Sequence, residues 1–460
     1  MLTVEKIGGT SMTQFHEVLQ NIIIGNRKEE DYYNRIFVVS AYSNVTNWLL
    51  EHKKTGEQGI YAIFEQSGDF KAALDQVLQK LIELNRNYES IGLNQEEADN
   101  FITARIARAK DYLWNLAAVL ATGYVNRQNI LLAAREILSS IGEAHSAFNS
   151  VNILNNNNIK ARLIDLCGFE DSDILSIDER IQHEFRNIDF TSVIAIATGY
   201  TKGTEGIMRE FDRGYSEVSF SKIAVAVKAD EAVIHKEFHL SSADPNIVGL
   251  EKSIPVGHTN YIIADQLADV GMEAIHPKAS KPLEMAGINI RLKNTFEPNH
   301  PGTLISRDFI NTDSKVEIIT GSDKVVAIEV HDPSMVGSVG FDKGIMSIFE
   351  KHKVSYILKS TNANSITQVI WEKDTNDVFL QELKDKYYQV NYQECALVCA
   401  LGTNVRRPGV IAKATTALAE RNINISALSQ SLMQVNIQFV IPRESYRDAV
   451  IALNDALCNI

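Results

Sequence analysis

Apolar positions open the chain in a short run over residues 3–7 that stops at Gly8-Gly9-Thr10-Ser11. Phe15, Val18, Leu19, Ile22 and Ile23 then recur at helical spacing, and Ile36-Phe37-Val38-Val39-Ser40 follows as a continuous apolar run. A run without alternation marks a strand buried on both faces. Strand, helix and strand in that order predict a βαβ unit, a parallel sheet and a right-handed crossover. From about residue 60 to 150 the period is helical. Leu74, Val77, Leu78, Leu81 and Leu84 fall on one stripe, and Leu113, Leu116 and Leu120 on a second. Ser140-Ile141-Gly142-Glu143 reads as the end of that region and the start of another helix, and the asparagines 155–158 predict a loop. Residues 161–164 and 193–197 resume the strands. Phe220, Ile223, Ala224 and Val227 predict a further amphipathic helix, with Ser216 as its expected cap.

Turn residues around Pro298 and Pro301-Gly302 mark a domain edge. Beyond it the chain repeats itself at a period of about 69 residues, GFDKGIMSIFEKHKVSY from Gly340 and GVIAKATTALAERNINI from Gly409. A strand is expected before each copy (325–330 and 396–400) and after it. Matched core positions are Phe349 with Leu418, Val354 with Ile423 and Tyr356 with Ile425. The organisation this implies is one large α/β domain over 1–300, a linker strand and first repeat unit over 301–392, and a second unit over 393–460.

Composition narrows the function classes. The 460 residues carry 45 Lys+Arg against 58 Asp+Glu, a formal charge of -13, so a net basic footprint for nucleic acid is absent. No apolar run reaches the 18 or more residues of a membrane span, and Glu5 and Lys6 stand where a secretory leader would be apolar. Four cysteines (Cys167, Cys395, Cys399, Cys458) are not a disulfide framework, and Cys395 and Cys399 fit one face of a strand as core residues. The expectation is a reduced, cytoplasmic protein that binds neither nucleic acid nor membrane.

Four segments carry candidate chemistry. Lys6 with Gly8, Gly9, Thr10 and Ser11 ends a strand before a helix, where backbone amides and a lysine suit a polyphosphate, although paired glycines also serve as a plain tight turn. In a parallel sheet, ligands lie beyond the carboxyl ends of strands, which puts Ser40, Ser43, Thr46 and Asn47 beside that loop. Glu143 offers a carboxylate for a substrate ammonium, against the plain reading of a solvated helix glutamate. Arg213, Gly214, Tyr215, Ser216 and Glu217 precede a helix, where an arginine suits a carboxylate or phosphate. His235 and His239 are four apart as in metal-binding helices, but their surroundings read as strand, where such a pair lies over ~12 Å apart. No protein metal site is expected.

Together these segments resemble the aspartate kinases of the amino-acid-kinase family. KIGGTS resembles the family's phosphate loop, VVSAYSNVTNWLL its second strand and substrate loop, and SIGE the segment whose glutamate holds the substrate amine. DRGYSE resembles GRGGSD, the run from Ser241 to Pro245 resembles Y-T-x-D-P, and EAIHPKA from Glu273 resembles KVLHPxA; the tandem repeat resembles paired ACT units. The resemblance implies a three-layer α/β sandwich around a mainly parallel sheet, followed by two ferredoxin-like ACT units. It implies ATP with Mg2+ and L-aspartate as substrates, with no fused dehydrogenase expected after the second repeat. The implied catalytic residues are Lys6, Arg213 and Glu217. Ser40, Thr46, Glu143, Arg213 and Ser216 would bind aspartate, with Glu143 on its ammonium and Arg213 on a carboxylate. Lys6, Gly8, Gly9, Thr10 and Ser11 would hold phosphates. His235, Lys236, Ser241 and Asp244 fall in the nucleoside region, where this chain departs most: HKEFH replaces T-D-V-D-G, Ser241 the tyrosine, Asn246 an arginine and Glu273 a lysine. The variant stretch resembles a subgroup associated with ectoine synthesis. Two other readings share the sequence: a kinase of the same fold with another carboxylate acceptor, and an amino-acid sensor whose kinase site has decayed.

The first repeat bears on regulation. Ile357 and Ala363 stand where lysine-inhibited relatives carry an aspartate and a glutamate, so a lysine ammonium would lack its paired charge. Met335, Gly337, Ser338 and Gly340 remain as candidates for holding an effector, threonine rather than lysine. The resemblance implies a homodimer through the ACT units, the segment after Gly302 adding a strand to the second unit.

Overall fold

The computed structural model describes residues 1–52, 55–211, 214–272 and 274–458, which group into two compact units. The first comprises Met1–His239 and His276–Leu304. Its centre is a parallel sheet of β1 (Thr3–Ile7), β2 (Arg35–Val39), β3 (Ala161–Ile164), β4 (Ile194–Thr198), β5 (Glu231–Lys236) and β6 (Asn289–Asn294), ordered β3-β4-β2-β1-β5-β6. Every residue of β2 and β4 is buried, as their unbroken apolar runs predict. Helices cover both faces. Tyr215–Ala226 packs on β1, β2 and β5, while the carbonyls of Ile22 and Ile23, in the helical segment 15–24, accept from Arg35 on the other side of β1 and β2.

The helical region is longer and less broken than its sequence suggests. Gly142 does not end a helix: Arg127–Asn156 is one helix of 30 residues, with Glu143 near its middle. It also absorbs two of the four asparagines, and the loop begins at Asn157. The glycine is there for packing, since a Cβ on Gly142 would meet Ala41 Cβ at 2.8 Å and Val45 Cγ1 at 2.9 Å.

The second unit comprises Leu240–Ile275 and Ile305–Ile460. It holds an antiparallel sheet of β7 (Ile318–His331), β8 (Leu358–Thr361), β9 (Ser365–Trp371), β10 (Gln389–Leu401), β11 (Ala427–Gln430) and β12 (Asn436–Pro442), ordered β8-β9-β7-β10-β12-β11. The repeat is realised element by element. Helices Phe341–Lys351 and Val410–Glu420 correspond, as do Asp377–Lys386 and Tyr446–Leu457, and the two copies join along β7 and β10. Phe349 and Val354 enter one core, Leu418 and Ile423 the other. Tyr356 does not follow: it is 44% exposed, whereas Ile425 packs against the second core. The first part of β7 pairs with Leu397–Leu401, and Ile319 and Val316 bury in the second copy's core, so the first copy is threaded between two strands of the second. Cys395 and Cys399 are free thiols buried on β10.

Candidate active site

Alternation along β1 sends Lys6 to one face of the sheet and Glu5 to the other. Lys6 registers with Val38 and Ile234, so Lys236, two residues past Ile234, shares its face, whereas His235 shares the face of Glu5. Lys6 Nζ donates to Glu217 Oε1 at 3.0 Å, and Glu217 Oε2 accepts the His276 amide at 2.7 Å. Burial opposes the Glu217 charge, but Lys6, Lys236 and that amide overcome it and bring the carboxyl down to about 2. The result is a fixed anion beside two lysines.

Glu143 is in the opposite condition. It is 2% exposed, its Oε1 accepts Ser216 Oγ at 2.6 Å, and among the described residues its Oε2 has no hydrogen-bond partner. Burial drives its carboxyl up to about 8 despite the pull of Ser216, Lys6 and the amides of Tyr200 and Ala41. Gly199, just past β4, makes room for this contact: a Cβ there would lie 2.7 Å from Ser216 Cβ and 3.0 Å from Glu143 Oε1. A buried acid with a spare oxygen is a receptor for a cation.

The glycine loop borders the same carboxyl ends. A Cβ on Gly9 would meet the Ala41 carbonyl at 2.7 Å, while nothing lies within 4 Å of one on Gly8, so the loop packs on one side and is open on the other. Thr10 is exposed. Ser40 is half-buried, its carbonyl accepting Ser146 Oγ at 2.8 Å, and Thr46 is half-buried in the helix Val45–Leu49.

The comparisons with known proteins meet this geometry. Residues 1–294 match the amino acid kinase family, and residues 398–457 match an ACT domain. Aspartate kinase Ask_Ect of Stutzerimonas stutzeri (strain A1501) is 46% identical over 99% of this chain and 97% of its own length. The chain belongs to the aspartate kinases of the amino acid kinase family. Clostridium acetobutylicum aspartate kinase shares the fold with a TM-score of 0.76 at 22% identity, covering 99% of this chain and 100% of that one. Escherichia coli aspartokinase III, solved with aspartate and ADP, does so with a TM-score of 0.68 at 19% identity over 99% of both chains.

Within that family the expected residues divide. Lys6, Glu143, Ser216 and Glu217 come together, and Lys236 joins them by its charge on Glu217. Ser216 is not the helix cap: Gly214 caps Tyr215–Ala226 and Ser216 is the helix's second residue, its hydroxyl donating to Glu143. The Ser11 side chain points inward, 3.3 Å from Glu237 Oε1 and 3.2 Å from Thr295 Oγ1, leaving its backbone as what it offers a phosphate. His235, expected with the nucleoside contacts, instead lies on the opposite face, with Nε2 2.7 Å from Glu5 Oε2. Ser241 and Asp244 belong to the second unit, where Ser241 bridges to Pro255 and Asp244 caps the helix Pro245–Val248. Arg213 and Glu273 lie outside the described residues. Of the effector candidates, Met335 is buried in the first repeat's core, Ser338 Oγ donates to the Ser334 carbonyl at 2.6 Å, and Gly337 and Gly340 both have positive φ. Among the described residues no group of three or more His, Cys, Asp or Glu side chains could hold a metal, and no helix is long and apolar enough to cross a membrane.

Sequence reasoning missed the segment after β4. Tyr200 Oη donates to Glu136 Oε2 at 2.6 Å, and Glu136 Oε1 accepts the Met208 amide at 2.7 Å, which ties the loop before Arg213 to the helix that carries Glu143. Thr201 and Ser219 share a buried hydrogen bond of 2.8 Å. The signal was available: Thr198-Gly199-Tyr200-Thr201 follows a buried parallel strand directly.

Proposed function

We propose that the protein transfers the γ-phosphoryl group of ATP to the side-chain carboxylate of L-aspartate, giving L-4-phosphoaspartate and ADP. The observation that carries this reading is Glu143, a buried carboxyl near Lys6 with one oxygen that has no hydrogen-bond partner among the described residues, suited to the α-ammonium of an amino acid. The attacking carboxylate is ionised at neutral pH, so no general base is required. Its oxygen bonds to the γ-phosphorus, the bond to the bridging oxygen breaks, and ADP leaves with the electron pair. Catalysis reduces to alignment and neutralisation of phosphate charge. Lys6 supplies a positive charge, positioned by Glu217, and the backbone of Gly8, Gly9, Thr10 and Ser11 lines the phosphates. Arg213 would take a substrate carboxylate, with Ser40 and Thr46 bordering the pocket. Magnesium bound with ATP would supply further charge neutralisation. Such an ion needs only one or two carboxylates beyond the phosphates, and Glu217 is an ionised carboxylate that could serve.

Finer parts of the reading are proposals too: domain limits at 1–300, 301–392 and 393–460, a homodimer through the ACT units, and aspartyl phosphate that feeds ectoine synthesis. Threonine is proposed over lysine as effector, because Ile357 and Ala363 offer a lysine ammonium no charge. Half-maximal inhibition by lysine well below millimolar would contradict this. The activity itself is tested with ATP, magnesium and L-aspartate by trapping the acyl phosphate as hydroxamate. Aspartate-dependent product that is lost in Lys6→Ala is the expected result; product absent from the wild type, or unchanged in the variant, refutes the reading.

A further inference from the structure

The face of the sheet opposite Lys6 carries a second concentration of charge. A cavity of about 720 Å3 lies there, between β1, β5, β6 and the turn that carries Arg27. It runs along β1, β5 and β6 from near their amino ends (Thr3, Glu231) to near their carboxyl ends (His235, Lys293), on the face of the sheet that carries Glu5 rather than Lys6.

Its cations outnumber its anions. Arg291 is paired with Glu231, Nη2 to Oε1 at 2.7 Å, and Arg35 behind the wall with Glu5 at 2.7 and 3.1 Å. Both carboxylates are thereby used. Arg27 and Lys293 have only backbone carbonyls as hydrogen-bond partners among the described residues, Ile22 O at 2.7 Å and Pro298 O at 3.0 Å. Burial first, then a neighbouring cation (Arg35 for Arg27, Arg27 for Lys293), lowers the affinity of both for their protons, with Glu5 giving partial relief to each, Asp31 to Arg27 and Glu231 to Lys293. An exposed guanidinium and a half-buried ammonium, neither with a carboxylate hydrogen-bonded to it among the described residues, leave the cavity suited to a mobile anion. The backbone is shaped to keep Arg27 there: Gly25 has φ 51°, and a Cβ on it would lie 3.2 Å from Arg27 Nη1. His235 on the same wall adds a buried Nδ1 that has no hydrogen-bond partner among the described residues. Its Nε2 is engaged with Glu5, so in the neutral ring Nδ1 is an acceptor, suited to a ligand hydroxyl.

We propose that this cavity is a second binding site, for a small phosphate-bearing molecule held by Arg27 and Lys293. A guanidinium and an ammonium together match a phosphate dianion in charge and hydrogen bonding. The cavity lies within the range of small-molecule pockets, roughly 300–1,000 Å3.

Inorganic phosphate is the probe, with melting temperature followed against its concentration at constant ionic strength in the full-length protein. The wild type should show a saturable rise, and Lys6→Ala should retain it. In Arg27→Gln/Lys293→Gln the half-saturating concentration should increase roughly tenfold or more, with hydroxamate formation within about twofold of wild type. Without phosphate the double variant should melt no lower than wild type, since the substitutions remove a repulsion. Lys293→Gln alone provides the same comparison if the double variant does not fold. The proposal fails if the wild type shows no saturable response, if the Gln variants respond as it does, if Lys6→Ala abolishes the response, or if succinate matches phosphate.

Discussion

The first unit buries two glutamates, and they are handled in opposite ways. Glu5 is 4% exposed and has a bidentate guanidinium from Arg35 and a ring nitrogen from His235, so its carboxyl stays well below the usual range despite burial. Glu143 is 2% exposed, has one hydroxyl, and rises to about 8. Burial is common to both and so says nothing about role. What differs is whether the protein supplies the opposing charge itself. Where it does, the group holds the sheet to its covering helix; where it withholds it, a ligand must bring the charge.

Removing each carboxylate should break a different property. Glu143→Gln leaves a substrate ammonium without its partner in a buried site, a loss of about 3–5 kcal/mol, read as a fall of roughly 10²–10³ or more in kcat/KM for aspartate. Its melting temperature should not fall, since an uncompensated buried acid is gone. Glu5→Gln should show the reverse: Arg35 stays buried and unpaired, at a cost of about 3–5 kcal/mol in stability by urea denaturation, while the protein that remains folded keeps its KM for aspartate. If Glu5→Gln raised KM at unchanged stability, the distinction would collapse.

The pH dependence sharpens the contrast. Glu143 must be ionised to receive an ammonium, and its raised value leaves it mostly protonated at neutral pH. Aspartate kcat/KM should therefore rise about tenfold per pH unit below about 8 and level off above it. Glu217, at about 2, adds no dependence in that range. A flat profile between pH 6 and 8 would show that Glu143 is already charged. The smallest effect belongs to Ser216→Ala. Loss of one hydrogen bond to the ionised form, worth about 1–2 kcal/mol, should move the midpoint of that profile up by roughly one pH unit.

Much of this was legible in the chain because it follows from periodicity. The unbroken runs of β2 and β4, the first βαβ unit and the 69-residue repeat all survive in the structure. What misled were single residues with two physical uses. Gly142 reads as a helix end but serves close packing against Ala41 and Val45. Ser216 reads as a cap, but Gly214 takes that position with φ 85°. His235 and Lys236 both fall in the stretch that resembles the family's nucleoside region, but strand alternation puts neighbours on opposite faces, so only Lys236 shares the face of Lys6. The Lys6–Glu217 pair spans 211 residues, and no local pattern announces it.

The account rests on Glu143 exchanging a proton for a substrate ammonium, and calorimetry measures this directly. Aspartate binding at pH 7 would be titrated in two buffers of different ionisation enthalpy, for wild type and Glu143→Gln. Release of about 0.9 proton per aspartate is the predicted result for a group near 8 that becomes ionised, with no such release in the variant. Tight binding of aspartate by the wild type with no proton release would contradict it.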